Sequence, residues 1–243
     1  MNRFFVKKDD IADNSAIITG EDVKHISKVL RMAPGDKVML CDGEGYQYLA
    51  EIADISKEQV NLRILSAERC AAEPLQRITL YQGLPKGDKM ELIVQKCVEL
   101  GITEIVPVAA ERSIVRIKPG EFGGKRTRYQ RVAYEAAKQC GRGIIPDIAD
   151  ITTFKAADMS RHDLIIIAYE DEKGTNLKSL LRANMQAKDI AIVIGPEGGL
   201  EKAEVDMLTQ KGGTAVTLGP RILRTETAGM AALAMILYEI EEQ

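Results

Sequence analysis

After Pro74 the chain alternates between apolar runs of strand length and longer amphipathic segments of helix length. One run, DLIIIAY (163–169), is continuously apolar, which is typical of a strand covered on both faces of a sheet. Strands that alternate with helices form a mostly parallel sheet. The sequence therefore predicts an α/β domain over 74–243. Its predicted strands are RITLYQGL (77–84), ITEIVPV (102–108), DLIIIAY (163–169), DIAIVIG (189–195) and TAVTLG (214–219).

Two of these predicted strands end in a Gly-Pro pair and lead into a helix. The first connection is GPEGG (195–199), and the second lies within LGPRILRTETAGMAAL (218–233). Neither matches the Rossmann or P-loop glycine pattern, so those phosphate sites are not supported. Ligands of parallel α/β sheets sit at the carboxyl ends of the strands. A pair of Gly-Pro loops at that edge suits a flat, uncharged group such as adenine, held by backbone N–H and C=O groups.

Each loop also has a purely structural interpretation. GPEGG alone is typical of a tight strand-to-helix turn, and either Thr225 or Thr227 is a suitable cap for the last helix. Packing gives no reason for Arg221 and Arg224 in the second loop. The two loops together therefore favour a ligand site over two unrelated turns.

Residues 1–70 follow a different pattern, which predicts a small β domain. KVMLCDGEGYQYLAEIADI (37–55) indicates two strands around a turn, and VNLRIL (60–65) alternates in the period-two manner of a half-buried strand. The segment EDVKHISKVLRM (21–32) has the spacing of one amphipathic helix. ERCAAEP (68–74) is predicted as the linker to the α/β domain.

The residues that bind zinc are scarce in this sequence. The four cysteines are far apart without a C-x-x-C pair, and there are two histidines, so we expect no metal and a reducing compartment. The first residues include no apolar segment behind their charges, and the longest apolar run (228–238) is too short to span a bilayer. We therefore expect a soluble, cytoplasmic protein without a membrane partner.

Positive charge is concentrated in one segment of an otherwise acidic chain. The net charge is −3, yet residues 112–142 contain nine Lys and Arg and two acids. One interpretation of such a segment is an ordinary helix face exposed to solvent. The other interpretation is an RNA partner, because concentrated Lys and Arg side chains bind a nucleic-acid backbone.

The two loop motifs resemble the C-terminal motifs of the SPOUT methyltransferases. More narrowly, the chain resembles the ribosomal RNA small subunit methyltransferase E family, bacterial enzymes that methylate N3 of a specific uridine in 16S ribosomal RNA. The resemblance covers nearly the whole chain, with several motifs in the same order. Besides IVIGPEGGLEKAEV (192–205) and LGPRILRTETAGMAAL (218–233), they are HISKVLRMAPGD (25–36), KGDKMELIVQKCVELGITEIVPV (86–108), ERSIV (111–115) and EAAKQCGRGIIPDI (135–148).

This resemblance implies an architecture and a set of partners. It implies a PUA-like RNA-binding β-barrel domain over 1–70 and a SPOUT α/β domain over 74–243 for cofactor binding, catalysis and dimerisation. The family's SPOUT domain has a deep trefoil knot, in which S-adenosylmethionine binds in a bent form. A homodimer acting on 16S rRNA within the 30S subunit follows from the same resemblance. One departure is Glu201, where the family usually has Ser or Thr, and it puts the cap of the next helix in doubt.

The resemblance also assigns site residues. Arg224 is the predicted catalytic residue, because a guanidinium would stabilise the negative charge on uracil when N3 loses its proton. The alternative for Arg224 is a structural salt bridge with Glu226 or a C-terminal acid. Glu226 is the second predicted catalytic residue, either as the proton acceptor or as the group that orients Arg224. Glu197 is expected to organise its loop rather than to act as a base. The predicted cofactor-binding residues are Gly195, Pro196, Gly199, Leu218, Gly219 and Leu223.

RNA binding is assigned to the basic segment and to the small domain. His25 is expected to pack within its helix rather than to contact a base, whereas Tyr46 and Tyr48 are expected either to stack on bases or to pack in the core. The predicted RNA-binding residues are Arg3, Arg31, Arg112, Arg116, Arg126, Arg128 and Arg142.

Two other functions remain open at this point. One is an enzyme of the same fold that methylates another RNA base, since target choice is the weakest part of a family transfer. The other is a non-catalytic RNA-binding or ribosome assembly factor. The intact GPEGG and ILRTETA loops argue against such a factor, because a scaffold needs neither of them.

Overall fold

The computed structural model describes residues 1–115 and 120–241. The chain packs as two compact units, which are Met1–Glu73 with Ala137–Ile145 and Pro74–Ala136 with Pro146–Gln243. The first unit thus includes a second piece of chain, Ala137–Ile145, from the region that the predicted boundaries place in the C-terminal domain.

The first unit is built on a six-stranded sheet in the order β1-β4-β5-β6-β3-β2. Strands β1 and β4 are parallel, and the other neighbouring strands are antiparallel. The predicted hairpin over 37–55 is confirmed, and Asp42 closes its turn by accepting the N–H groups of Glu44 and Tyr46. The strands are β1 (Arg3–Phe5), β2 (Ile11–Ala12), β3 (Ser15–Thr19), β4 (Lys37–Cys41), β5 (Tyr46–Ile55) and β6 (Gln59–Arg69).

The helix predicted over 21–32 is shorter and less regular in the structure. It consists of α1 (Glu21–Lys24) followed by a π-helical turn, His25–Val29. Val23 and Ile26 face the core of the sheet, as their spacing predicts. The helix ends before Arg31, which has a φ of 53°.

The second unit contains the predicted parallel sheet. Its strand order is β12-β10-β11-β7-β8-β9, and every neighbouring pair is parallel. The residues of β11 from Ile190 to Ile194 are almost completely buried, because helices cover both faces. The strands are β7 (Arg77–Gly83), β8 (Glu104–Val108), β9 (Asp147–Ile148), β10 (Leu164–Ala168), β11 (Asp189–Ile194) and β12 (Gly213–Val216).

Helices follow the strands of the second unit along the chain, as the sequence predicts, and the last four residues of α3 (137–140) belong to the first unit. On one face of the sheet α5 packs with Val205 and Leu208 against Val193, whereas α6 packs with Gly229 against Leu80 on the other. Across the described residues, no helix combines the length and the apolar character needed to cross a membrane. The helices are α2 (Lys89–Glu99), α3 (Phe122–Cys140), α4 (Leu177–Ala183), α5 (Lys202–Gln210) and α6 (Thr225–Ile240).

Candidate functional site

The loops after β10, β11 and β12 line a cavity of about 350 Å³ at the carboxyl edge of the parallel sheet. The sheet order places β10 between β11 and β12, so the two Gly-Pro loops meet at this edge. All six residues that were predicted for cofactor binding line the cavity, namely Gly195, Pro196, Gly199, Leu218, Gly219 and Leu223.

Gly199 stands where the first loop requires a residue without a side chain. Its φ is +72°, a conformation that glycine adopts without strain. A Cβ atom there would also overlap Oε1 of Glu170, which follows β10 and lines the cavity. Gly195 is equally confined, since its Cβ would lie 2.8 Å from the carbonyl carbon of Gly199. The first loop is therefore folded tightly on itself, with the Glu170 carboxylate against it.

Arg112 holds the first loop from outside the cavity. Its Nε donates to Oε1 of Glu201 at 2.7 Å, and its Nη1 donates to the carbonyl of Gly198 at 3.0 Å. Glu201 is the N-cap of α5. Glu204, three residues later, accepts the N–H groups of Glu201 at 2.9 Å and of Glu111 at 3.0 Å. The doubt about the cap is thereby resolved, because Glu201 starts the helix in a capping box with Glu204.

Thr225 joins the two loops, so the structure contradicts its assignment as a helix cap. The N-cap of α6 is Arg224, and Thr225 is the first helical residue. The Thr225 hydroxyl donates to the carbonyl of Gly195 at 2.7 Å and accepts from Nε2 of Gln82 at 2.9 Å. Thr227, the other predicted cap, is exposed within the helix. The cap was the wrong role because the hydroxyl of Thr225 faces the neighbouring loop instead of the first turn.

Arg224 is exposed and lines the cavity. Among the described residues its guanidinium has no hydrogen-bond or salt-bridge partner, so the alternative of a structural pair with Glu226 does not hold there. A guanidinium at this place offers several donors in a fixed plane, and none of them is used within the structure. The arrangement can therefore stabilise negative charge on a group brought to the mouth of the cavity.

Glu226 contacts Lys89 rather than Arg224. Its Oε2 lies 3.3 Å from Nζ of Lys89, and the same Nζ donates to Oε1 of Glu197 at 2.9 Å. Glu197 also accepts the N–H of Lys86 at 3.1 Å. Burial alone would raise the pKa of Glu197, but the hydrogen bonds from Lys89 and from backbone N–H groups outweigh it and hold the pKa below its ordinary value. These contacts are those of a loop organiser.

Lys89 is a site residue that the sequence analysis did not identify. It is the first residue of α2, where the helix dipole disfavours a cation. That unfavourable position could have identified Lys89 from the sequence, because a lysine at the start of a helix needs nearby carboxylates to offset the helix dipole. Its hydrogen bond to Glu197 raises the pKa of Lys89, so the side chain stays charged.

Two of the predicted RNA-binding residues are engaged inside the first unit. Arg142 is 2% exposed and pairs with Glu73, whose Oε2 lies 2.6 Å from its Nη2. An RNA phosphate cannot reach Arg142 without breaking this pair, so its assignment to an RNA surface is wrong. Arg3 is half-buried, and its guanidinium contacts Sγ of Cys41 at 2.9 Å and Oε1 of Gln47 at 3.1 Å. Charge alone did not distinguish these structural arginines from surface ones.

The remaining predicted RNA-binding residues differ in their surroundings. Arg126 donates to the carbonyl of Ile148 at 2.7 Å, and Arg128 pairs with Glu91 at 2.7 Å while its side chain stays exposed. Arg31 is exposed. Arg112 serves the first loop as described above, and Arg116 lies outside the described residues.

The other candidate side chains of the first unit are placed as follows. His25 is exposed instead of packed within its helix, although its ring meets Phe4 edge-on with 6.4 Å between centroids. The ring of Tyr46 is partly exposed and is covered by the Arg69 guanidinium at 5.6 Å. Tyr48 packs against the core of the sheet, so core packing accounts for one of the two tyrosines.

Known families match both parts of the chain. The RNA methyltransferase domain family matches residues 71–237, and the RNA methyltransferase PUA domain family matches residues 18–65. The ribosomal RNA small subunit methyltransferase E of Bacillus subtilis is 36% identical over 99% of this chain and 98% of its own length. The protein of the same name from Synechocystis is 32% identical over 96% of this chain and 76% of its own length.

A solved structure agrees with these relatives. The ribosomal RNA small subunit methyltransferase E of Neisseria gonorrhoeae, bound to S-adenosyl methionine, superposes with a TM-score of 0.83 at 31% identity. The match covers 98% of this chain and 97% of that one. Family profile, sequence identity and fold thus agree over the full length of the chain, and the loops that carry the motifs are the ones that line the cavity. The chain belongs to the ribosomal RNA small subunit methyltransferase E family of RNA methyltransferases.

Proposed function

We propose that this RNA methyltransferase binds S-adenosylmethionine in the cavity and methylates N3 of a specific uridine in 16S rRNA of the 30S subunit. The observation that carries the proposal is the cavity itself. Its wall holds all six predicted cofactor residues, and the unpaired guanidinium of Arg224 stands at its edge.

The residues present fit the cofactor. The cavity of about 350 Å³ falls within the range of pockets that hold ligands of this size. Gly195 and Gly199 have no room for a Cβ atom, so their backbone groups form the surface that a flat adenine would meet. Gly219 in the opposite loop has a φ of +125°, which glycine adopts without strain, and a Cβ there would meet nothing within 4 Å. S-Adenosylmethionine supplies a methyl group already activated by a positively charged sulfur.

The protein itself must help N3 of the uracil lose its proton and must stabilise the anion that forms. N3 carries a weakly acidic imide proton, which must leave before N3 accepts a methyl group. The negative charge that develops spreads onto O2 and O4, and Arg224 is the donor group we assign to it. Holding the base in line with the methyl group supplies a further part of the rate.

Glu226 is proposed as the proton acceptor of this reaction. The alternative, that Glu226 orients Arg224, has no contact to support it, because its carboxylate lies 3.3 Å from Lys89. Among the described residues, Glu226 does not itself line the cavity, although its neighbours Arg224 and Thr225 do, and its side chain is 15% exposed.

RNA binding is proposed for the PUA-like domain over 1–70 and for the exposed basic face of α3. In the PUA-like domain, the exposed Arg31 is the proposed RNA contact. On α3 the proposed contacts are Lys125, Arg128 and Arg131, whose spacings put them on one side of the helix. Because these cations are scattered over folded elements, we propose that recognition depends on the folded shape of the subunit.

The knot, the dimer and the compartment are further parts of the proposal. Support for the family's trefoil knot comes from α6, which packs against β7 and β11 and is tied to the first loop through Thr225. Support for a homodimer comes from Met235 and Tyr238, apolar side chains of α6 that are 44% and 78% exposed. A substrate that is part of the ribosome places the enzyme in the cytoplasm.

The test is methyl transfer from labelled S-adenosylmethionine to 30S subunits that lack the modification. After digestion to nucleosides, mass spectrometry identifies the labelled product, which we expect to be 3-methyluridine. Label in another nucleoside would replace the proposed target by another RNA base. Cofactor binding without any label on 30S subunits would favour a non-catalytic RNA-binding factor.

A further inference from the structure

Lys89 occupies an unusual position for a lysine. It opens α2 at the positive end of the helix dipole, yet its side chain is 31% exposed and turns toward the cavity instead of extending into water. A cation at the first residue of a helix is kept there by nearby negative charge.

Two carboxylates supply that charge, one from each loop region. Nζ of Lys89 lies 2.9 Å from Glu197 in the first loop and 3.3 Å from Glu226 in the first turn of α6. A single ammonium therefore connects the two parts of the chain that line the cavity. Thr225 connects the same two parts through neutral hydrogen bonds.

The geometry points to Lys89 as the positioning residue for Glu226. Lys89 holds the Glu226 carboxylate toward the first loop and away from Arg224, so that the guanidinium of Arg224 stays available to the substrate. This inference rests on the proposed function, because it specifies how the proposed proton acceptor of that site is held.

The arrangement has an electrostatic consequence. Without Lys89, Glu197 and Glu226 would face each other as two carboxylates in a partly buried place, and like charges make each other harder to ionise. One of the two would take up a proton at a higher pH than it does beside the ammonium. An ionised Glu226 is what the reaction requires, so the loss of Lys89 should act on turnover and on its dependence on pH.

The experiment compares three variants of the full-length protein. Lys89→Gln removes the charge and keeps a side chain of similar length, and Lys89→Arg restores a cation. Lys96→Gln is the matched control, because Lys96 lies on the same helix and pairs with Glu99 at 2.9 Å. Turnover with saturating cofactor is measured from pH 5 to 9 for each protein, together with its Tm.

Lys89→Gln should lose at least about tenfold in turnover at neutral pH, and the acid limb of its pH profile should move upward. Lys89→Arg should recover most of the turnover and the wild-type profile, and Lys96→Gln should match the wild type. A purely structural lysine would lower Tm and leave the shape of the pH profile unchanged. That result, or equal turnover in Lys89→Gln and the wild type, would overturn the inference.

A second measurement separates this inference from the proposed function. Carbon-13 NMR titration of the Glu197 carboxyl reports the contact with Lys89 whether or not the protein methylates 30S subunits. In Lys89→Gln the pKa of Glu197 should rise, because burial remains and the largest opposing contact is gone. If the wild type does not methylate RNA but this pKa rises, the proposed function fails while the contact between Lys89 and Glu197 stands. If the pKa does not move, that contact is absent and the inference fails with it.

Discussion

Gly199 combines two requirements that other residues cannot meet together. Its φ of +72° costs an L-residue roughly 1–2 kcal/mol, and a Cβ would overlap the carboxylate of Glu170. We expect Gly199→Ala to weaken S-adenosylmethionine binding by at least about tenfold, because the left-handed φ strains a residue that has a Cβ and because the Glu170 carboxylate must turn away from the added methyl group. Isothermal titration calorimetry measures the affinity.

The control for this substitution is Gly124→Ala. A Cβ at Gly124 meets nothing within 4 Å, and its φ is not in the left-handed region. Cofactor affinity should therefore be unchanged in Gly124→Ala. Wild-type affinity in Gly199→Ala would show that the first loop is not the surface that the cofactor meets.

Glu197 makes the first loop sensitive to acid. Its pKa is below the ordinary value of 4.5, so its ionised contacts favour the folded loop above that pH and are lost as the pH falls through the lowered pKa. Cofactor affinity should thus be flat from pH 8 to about 5 and should fall below it. Glu197→Gln should remove this acid-side fall while weakening the affinity at neutral pH. An affinity that already declines between pH 8 and 6 would contradict this account of the loop.

At the scale of secondary structure elements, Thr225 connects the start of α6 to the end of β11. Thr225→Val keeps the shape of the side chain but removes both of its hydrogen bonds. Nε2 of Gln82 then keeps only its bond to a backbone carbonyl, and Oε1 of Gln82 already has no partner among the described residues. The expected loss is about 1–3 kcal/mol of unfolding free energy, measured by urea unfolding.

Thr227→Val is the matched control for this bond, because Thr227 is exposed and is in the same turn. Its unfolding free energy should stay within about 0.5 kcal/mol of the wild type. Thr225→Ser should retain most of the stability, since it keeps the hydroxyl. Equal stability of the Thr225→Val and Thr227→Val variants would mean that the hydroxyl bond does not tie the two elements.

The exposed face of α3 is the element to which we assign RNA binding by the second unit. Reversing Arg128 and Arg131 to Glu should weaken binding to 30S subunits and make its salt dependence shallower by about two in the log–log slope. S-Adenosylmethionine affinity should not change, because neither residue lines the cavity. Filter binding to 30S subunits at several salt concentrations measures the affinity and the slope of its salt dependence.

Lys178 and Lys188, which are exposed and belong neither to α3 nor to a loop that lines the cavity, are the control for the change in charge alone. Their reversal to Glu changes the net charge by the same amount and should leave 30S binding much closer to the wild type. If both double variants weaken 30S binding equally, the effect is one of total charge, and α3 is not a specific RNA surface.

For the whole molecule, the order of strands and helices in the second unit could be predicted from the sequence. Buried parallel strands are apolar throughout, and the Gly-Pro pairs mark where two of them end. The parallel order then brings these ends to one edge, where a ligand site is expected. The individual cofactor residues were predicted from the family resemblance and not from this geometry. Four strands were not predicted, namely β1, β2 and β3 of the first unit and β9 of the second. In β1, β2 and β9, strands of two or three residues have no recognisable period, whereas β3 has five residues with alternating burial and was missed.

Contacts between distant parts of the chain could not be predicted in this way. The pairing of Lys89 with Glu226 joins residues far apart in sequence, and so does that of Arg142 with Glu73. Both pairs depend on how elements pack after they form, which residue types and spacings do not encode locally. For the same reason, the basic segment 112–142 mixes surface arginines with one that is buried.

We propose above all that Arg224 acts on the uracil and does not serve cofactor binding. The decisive measurement is the single-turnover rate of 3-methyluridine formation in 30S subunits with saturating S-adenosylmethionine, for the wild type and Arg224→Ala. We expect a rate about 10²–10³ lower in Arg224→Ala, with cofactor affinity within about threefold of the wild type. A rate close to that of the wild type, or a loss explained entirely by weaker cofactor binding, would contradict it.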